Sequence, residues 1–126
     1  MWHVSDAWAR RGQPSILLVH YDNLSADLAG QMRWLADRLG ITVPGHVWPA
    51  LVRAATFDSM SGEADSTVPT AGLFKSNAAF FRRGTPGAGR EILSGRELAA
   101  YHDCAARLAP ADMLGWLHSP REEPHA

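Results

Sequence analysis

The stretch Pro14-Ser15-Ile16-Leu17-Leu18-Val19-His20 constrains the fold of this chain more than any other. Ile16 to Val19 is an unbroken aliphatic run bounded by turn residues, and it predicts a strand over Ser15–His20 buried on both faces. No second convincing strand is visible. A lone strand has no ladder partner for its N–H and C=O groups, and burying those groups unpaired is costly. The chain is therefore expected to be part of a larger α/β sheet domain, or to pair with another polypeptide.

The rest of the sequence reads as helices. Val4, Ala7, Trp8 and Arg11 share a helical face, and Gly12, Gln13 and Pro14 end that helix. Tyr21-Asp22-Asn23-Leu24 reads as the loop leaving the strand. From Asp27 onward Leu28, Met32, Leu35 and Leu39 form one stripe, and Gly40 suits the left-handed stop with Ile41 folding back on the apolar side. Pro44 opens another helix, apolar on two sides through Val47, Leu51 and Ala54 and through Trp48, Val52 and Ala55. Burial of that helix is expected. Ser94 and Glu97 predict a capping box for a helix carrying Leu98, Tyr101, Ala105 and Leu108, and Pro110 opens a last helix through Leu117. Two loops are expected, Thr56–Gly72 and the glycine-rich Arg82–Arg90, and residues 119–126 read as a flexible tail.

Composition narrows the function classes. The 126 residues carry 12 Lys plus Arg against 13 Asp plus Glu, a formal net charge of −1. That balance removes a whole-chain case for nonspecific nucleic-acid binding or for an anionic membrane surface. The aliphatic run is too short to span a bilayer, and Met1-Trp2-His3-Val4-Ser5-Asp6 is no secretory signal. Cys104, the single cysteine, excludes an internal disulfide framework and a thiolate zinc site. The expectation is a soluble, cytoplasmic protein in which Cys104 is structural. The six histidines show no metal-binding spacing. Trp34 and Trp48 read as core or subunit-contact residues.

Lys75, Arg82, Arg83, Arg90 and Arg96 lie in one segment with a single acid, Glu91. Its sharpest part is Phe80-Phe81-Arg82-Arg83-Gly84-Thr85-Pro86-Gly87. Two guanidinium forks and a closely approaching glycine N–H can converge on one tetrahedral anion, and each charge-assisted bond contributes roughly 1.5–3 kcal/mol. The other reading of these residues is an exposed basic turn. In Thr56-Phe57-Asp58-Ser59-Met60, the Phe and Met can hold a flat aromatic ligand or can pin the loop to the core. Tyr21 lies just past the carboxyl end of the strand, where open α/β sheets place ligands, and is otherwise an ordinary half-buried tyrosine.

Read in order, these segments resemble the carboxyl-terminal half of the sulfotransferase domain, the family that uses 3′-phosphoadenylyl sulfate (PAPS). The resemblance runs from Trp2-His3-Val4 and Trp8 through Ile16–Leu24, the helix ending Leu39-Gly40-Ile41, Thr56–Met60 and Phe80–Gly87. It implies an α/β fold of P-loop-like type, a parallel sheet flanked by helices, of which residues 1–118 form a mostly helical part with one strand. It implies that Arg82, Arg83 and Gly84 bind the 3′-phosphate of PAPS or adenosine 3′,5′-bisphosphate. Phe57 and Met60, with the backbone of Ala55 and Thr56, match the adenine-contacting stretch, and Tyr21 matches the tyrosine closing the adenine pocket.

The family's phosphosulfate loop with its lysine, and its histidine base, have no counterpart in these residues; His3 falls at a different position. Ala88-Gly89-Arg90 and Ser94-Gly95 also depart from the Asp-Trp-Lys and Thr-Val patterns of cytosolic members. The parent reaction moves a sulfuryl group from PAPS to an acceptor hydroxyl or amine. This chain is expected to keep the donor-anchoring residues and to be inactive alone. The alternative is a non-catalytic nucleotide-binding or interaction fragment whose sheet a protein partner completes.

Overall fold

The computed structural model describes residues 2–67, 81 and 87–118, and every regular element among them is a helix. Helix α1 spans Trp2–Ala9, and the expected break at Gly12–Pro14 follows it. Ile16 to His20 then runs half-buried without regular secondary structure. The expected strand is not there. A strand exists only through a ladder, and no other segment among the described residues supplies an edge to pair with it. The supposed loop at Tyr21–Leu24 is instead the start of α2, Tyr21–Ala26, closed at its head by the Leu24 N–H donating to His20 O at 3.1 Å.

Helix α3, Leu28–Arg38, is started by Asp27, whose carboxylate accepts from the Gly30 N–H at 2.9 Å. It ends as the sequence predicts. Gly40 takes φ 67°, and the paired bonds Ile41 N–H to Ala36 O (2.8 Å) and Gly40 N–H to Asp37 O (3.1 Å) close the last turn. The Ile41 side chain does not fold back; it is 55% exposed. A short 3-10 turn, Gly45–Val47, leads into α4, Trp48–Ala54. Helix α4 packs on α3 and on α5, yet none of its residues is buried, so the expected deep burial of this helix is corrected. Its Trp48 is covered in part by a cation from α3, the Arg33 guanidinium lying 5.3 Å from the ring centre. Within α3 itself, Arg38 stands over Trp34.

The segment expected as a long loop from Thr56 is also helical where it is described. It holds α5, Phe57–Gly62, and α6, Ala64–Thr67. Ser, Thr and Asp cap helices as readily as they build turns, which is why composition alone points to a loop.

After the described residues resume, Gly87 takes φ 85° and leads into α7, Ala88–Ile92. Helix α8, Gly95–Leu108, opens with the full capping box. The Ser94 hydroxyl accepts from the Glu97 N–H at 3.4 Å, and Glu97 Oε2 accepts from the Ser94 N–H at 2.9 Å. The Ser94 hydroxyl, which also donates to Glu97 Oε2 at 2.6 Å, and then the Ser94 N–H hold the Glu97 carboxyl below its ordinary range. Pro110 precedes α9, Ala111–His118, which packs on α8. Cys104 is exposed on α8, not structural in the sense of being buried.

The chain divides into two units, one of residues 1–24 with 86–126 and one of residues 25–85. In the first, Trp8, Ala105 and Met113 are buried, Met113 completely. The Trp8 ring meets Trp116 at 5.4 Å, and His20 stands edge-on to Trp116 while its Nε2 lies 3.1 Å from Leu117 O. In the second unit the described buried residues are Ala36 and Ala64. The expected tail at 119–126 lies outside the described residues.

Candidate functional site

In the second unit, the turn between α4 and α5 concentrates the residues singled out for adenine contact. Ala55 ends α4, its N–H donating to Leu51 O at 3.0 Å. Thr56 then does two jobs with one hydroxyl, donating to Arg53 O at 2.9 Å and accepting from the Ser59 N–H at 3.3 Å. The first bond ties the end of α4, and the second caps α5, so the Ala55–Thr56 backbone is held from both sides.

That cap fixes where α5 points its first turn. Phe57 and Met60, three positions apart on a helix, share one side of it, and both are half-buried. The Phe57 ring meets Phe81 edge to face, with ring centres 5.7 Å apart and planes at 76°. Phe81 immediately precedes Arg82 in the sequence. Arg82, Arg83 and Gly84 themselves lie outside the described residues.

Tyr21, the remaining singled-out residue, belongs to the first unit. It is 50% exposed and is the first residue of α2, beside a groove of about 720 Å³ lined also by Val4, Leu18, Val19 and Leu117. The structure thus gathers Ala55, Thr56, Phe57 and Met60 with Phe81, and places Tyr21 in its own apolar surroundings.

Sequence reasoning missed one cluster altogether. Tyr101 and His102 on α8 face His118 at the end of α9: the Tyr101 hydroxyl lies 2.9 Å from His118 Nε2, and the two imidazole rings stand 5.2 Å apart. Histidines 16 positions apart show no motif. The available signal was Pro110, which marks the turn that folds α9 back on α8. Among the described residues no group of three or more His, Cys, Asp or Glu could hold a metal ion, and no helix is long and apolar enough to cross a membrane.

Comparison with known proteins bears on what this arrangement serves. A glycolipid sulfotransferase of Mycobacterium bovis is 37% identical over 116 residues, covering 90% of this chain and 36% of that protein. A glycolipid sulfotransferase of Mycobacterium tuberculosis is 36% identical over 116 residues, with the same shares covered. The chain thus spans about a third of the length of the curated relatives it matches. No solved structure matches it. A family model described as the sulfotransferase domain matches residues 1–104, and by that match this chain belongs to the sulfotransferase domain family.

Proposed function

We propose that the chain serves the donor side of sulfuryl transfer, holding the nucleotide of 3′-phosphoadenylyl sulfate. The adenine is assigned to Phe57 and Met60 beside the Ala55–Thr56 backbone, and the 3′-phosphate to Arg82, Arg83 and Gly84. One observation carries the reading: the edge contact of Phe57 with Phe81, which brings the apolar side of α5 to the residue before Arg82. A flat purine and a phosphate on one nucleotide call for an aromatic or thioether wall next to paired guanidinium forks. The half-buried Phe57 and Met60 fit the first requirement, and the residue types Arg82-Arg83-Gly84 fit the second.

The bound donor supplies the sulfuryl group that passes to an acceptor hydroxyl or amine. The part of this chain is to fix the nucleotide, so that the donor is oriented before the transfer. The names of the mycobacterial relatives extend the proposal to a glycolipid as the acceptor class. A reducing, cytoplasmic setting accords with the single cysteine.

Calorimetric titration with adenosine 3′,5′-bisphosphate, with 5′-AMP as control, tests the reading. Selective binding of the bisphosphate, abolished by the double substitution Arg82→Ala and Arg83→Ala, is the expected result. Equal affinity for the two nucleotides, or no binding by a chain whose tryptophans give a near-ultraviolet dichroism signal, overturns it.

A second reading is favoured by Ile16–Val19, an aliphatic run that is half-buried and pairs with no strand among the described residues. In it the chain is an interaction fragment whose sheet a partner polypeptide completes. Concentration-dependent melting or a co-purifying chain supports this reading, and concentration-independent melting of a pure monomer removes it.

A further inference from the structure

We propose that Arg90, Tyr101, His102 and His118 form a binding site for a small oxyanion, built from residues other than those assigned to the nucleotide. The site is a cavity of about 250 Å³ in the first unit, where α7, α8 and α9 meet. Arg90 comes from α7, Tyr101 and His102 from α8, and His118 from the last turn of α9. Among the described residues no carboxylate lines this cavity. Leu93 and Leu98 form its apolar wall, which lowers the local dielectric and strengthens the attraction of a cation for an anion. Gly87 and Gly89 leave the remaining side open, since a Cβ at either would meet nothing within 4 Å.

The groups gathered here are a permanent cation, two imidazoles and a phenol. His102 and Arg90 each disfavour a positive charge on His118. Burial, then His102, then Arg90 hold His118 below the usual imidazole range, while a hydrogen bond to the Leu114 backbone opposes them. An oxyanion in the cavity cancels the repulsion.

The hydrogen-bond geometry adds a proton-dependent donor. In the tautomer of neutral His118 that leaves Nε2 unprotonated, Nε2 accepts from the Tyr101 hydroxyl 2.9 Å away. When His118 is protonated, Nε2–H becomes the donor and the tyrosine oxygen the acceptor. The Tyr101 O–H is then released to turn toward the cavity and donate to the anion. Arg90 from α7 and Tyr101 and His102 from α8 face His118 directly. An adjoining cavity of about 450 Å³ brings His20 and Asp22 to its other side. Because a bound anion favours the charged imidazole, linkage requires affinity to rise as pH falls.

The probe is sulfate, whose charge is constant across neutral pH, titrated into the full chain while the histidine ring signals are followed by NMR. Chloride at matched ionic strength is the control, and acetate separates tetrahedral from planar oxyanions. Saturable shifts of His102 and His118, with tighter binding at pH 6 than at pH 8, are expected. Arg90→Gln should weaken binding at least about tenfold, the loss of one charge-assisted bond. Tyr101→Phe, which keeps the ring packing, should flatten the pH dependence. The proposal is overturned if chloride reproduces the shifts, if neither histidine responds, or if both variants bind sulfate like the parent chain. Adenosine 3′,5′-bisphosphate binding at Arg82 and Arg83 is read separately, so failure of either assignment leaves the other standing.

Discussion

The indole N–H of Trp8 donates to Asp112 Oδ2 over 3.0 Å, a bond between the first and last helices of one unit. Arg11 reinforces it: its guanidinium lies 4.3 Å from the Trp8 ring centre, donates to Trp8 O at 2.8 Å, and reaches Asp112 Oδ2 at 3.4 Å. The Trp8 bond, ahead of Arg11, holds the Asp112 carboxyl below its ordinary range. A depressed folded-state value means the carboxylate stabilises the fold above its unfolded value, and that contribution is lost as pH falls through the folded value. Acid melting curves should therefore show Asp112→Asn converging on the parent chain at low pH and lying below it at neutral pH.

Replacing Trp8 by Ala removes a buried ring as well as the donor. A loss of about 3–5 kcal/mol is expected on urea unfolding, with Trp8→Phe retaining most of the packing.

Met113 is fully buried between the elements of the same unit. Met113→Ala should cost about 2–5 kcal/mol through lost contacts and the cavity left behind, whereas Met113→Leu should cost under about 1.5 kcal/mol. Equilibrium denaturation of the two variants checks the difference.

Gly40 has open space around it but takes φ 67°. Gly40→Ala is thus penalised by backbone conformation and not by crowding, with a loss of roughly 1–2 kcal/mol. Gly40→Asn should recover part of it, measured as melting temperature.

Phe57→Ala removes the ring that meets Phe81. On the donor-holding reading it should weaken adenosine 3′,5′-bisphosphate at least about fivefold, from the loss of an aromatic contact of roughly 1 kcal/mol or more. Inorganic phosphate carries no purine, so competition by phosphate should be unaffected.

Local signals were legible and long-range ones were not. Ser94 with Glu97, Gly40 after Leu39, and Pro110 each act within one helical turn, and all three helix boundaries form where the sequence puts them. Ile16–Val19 misled because a short aliphatic run carries no periodicity, and only a partner edge makes it a strand. Thr56 was visible as a residue but not as a cap, since the same side chain builds turns and starts helices. For the candidate site, the sequence exposed Phe57, Met60 and the arginines through their order along the chain. The Phe57–Phe81 and Tyr101–His118 contacts needed the tertiary fold.

The first unit is assembled from two separated stretches, with the whole of residues 25–85 lying between them in the chain. Synthesis runs from the amino end, so the second unit can form from neighbouring helices as soon as it emerges. Trp8 and the Ile16–Val19 run must wait for Asp112, Met113 and Trp116 to be made. Throughout that interval a tryptophan and four aliphatic residues stand exposed on the nascent polypeptide. The first unit therefore closes only after the whole of the second has been synthesised.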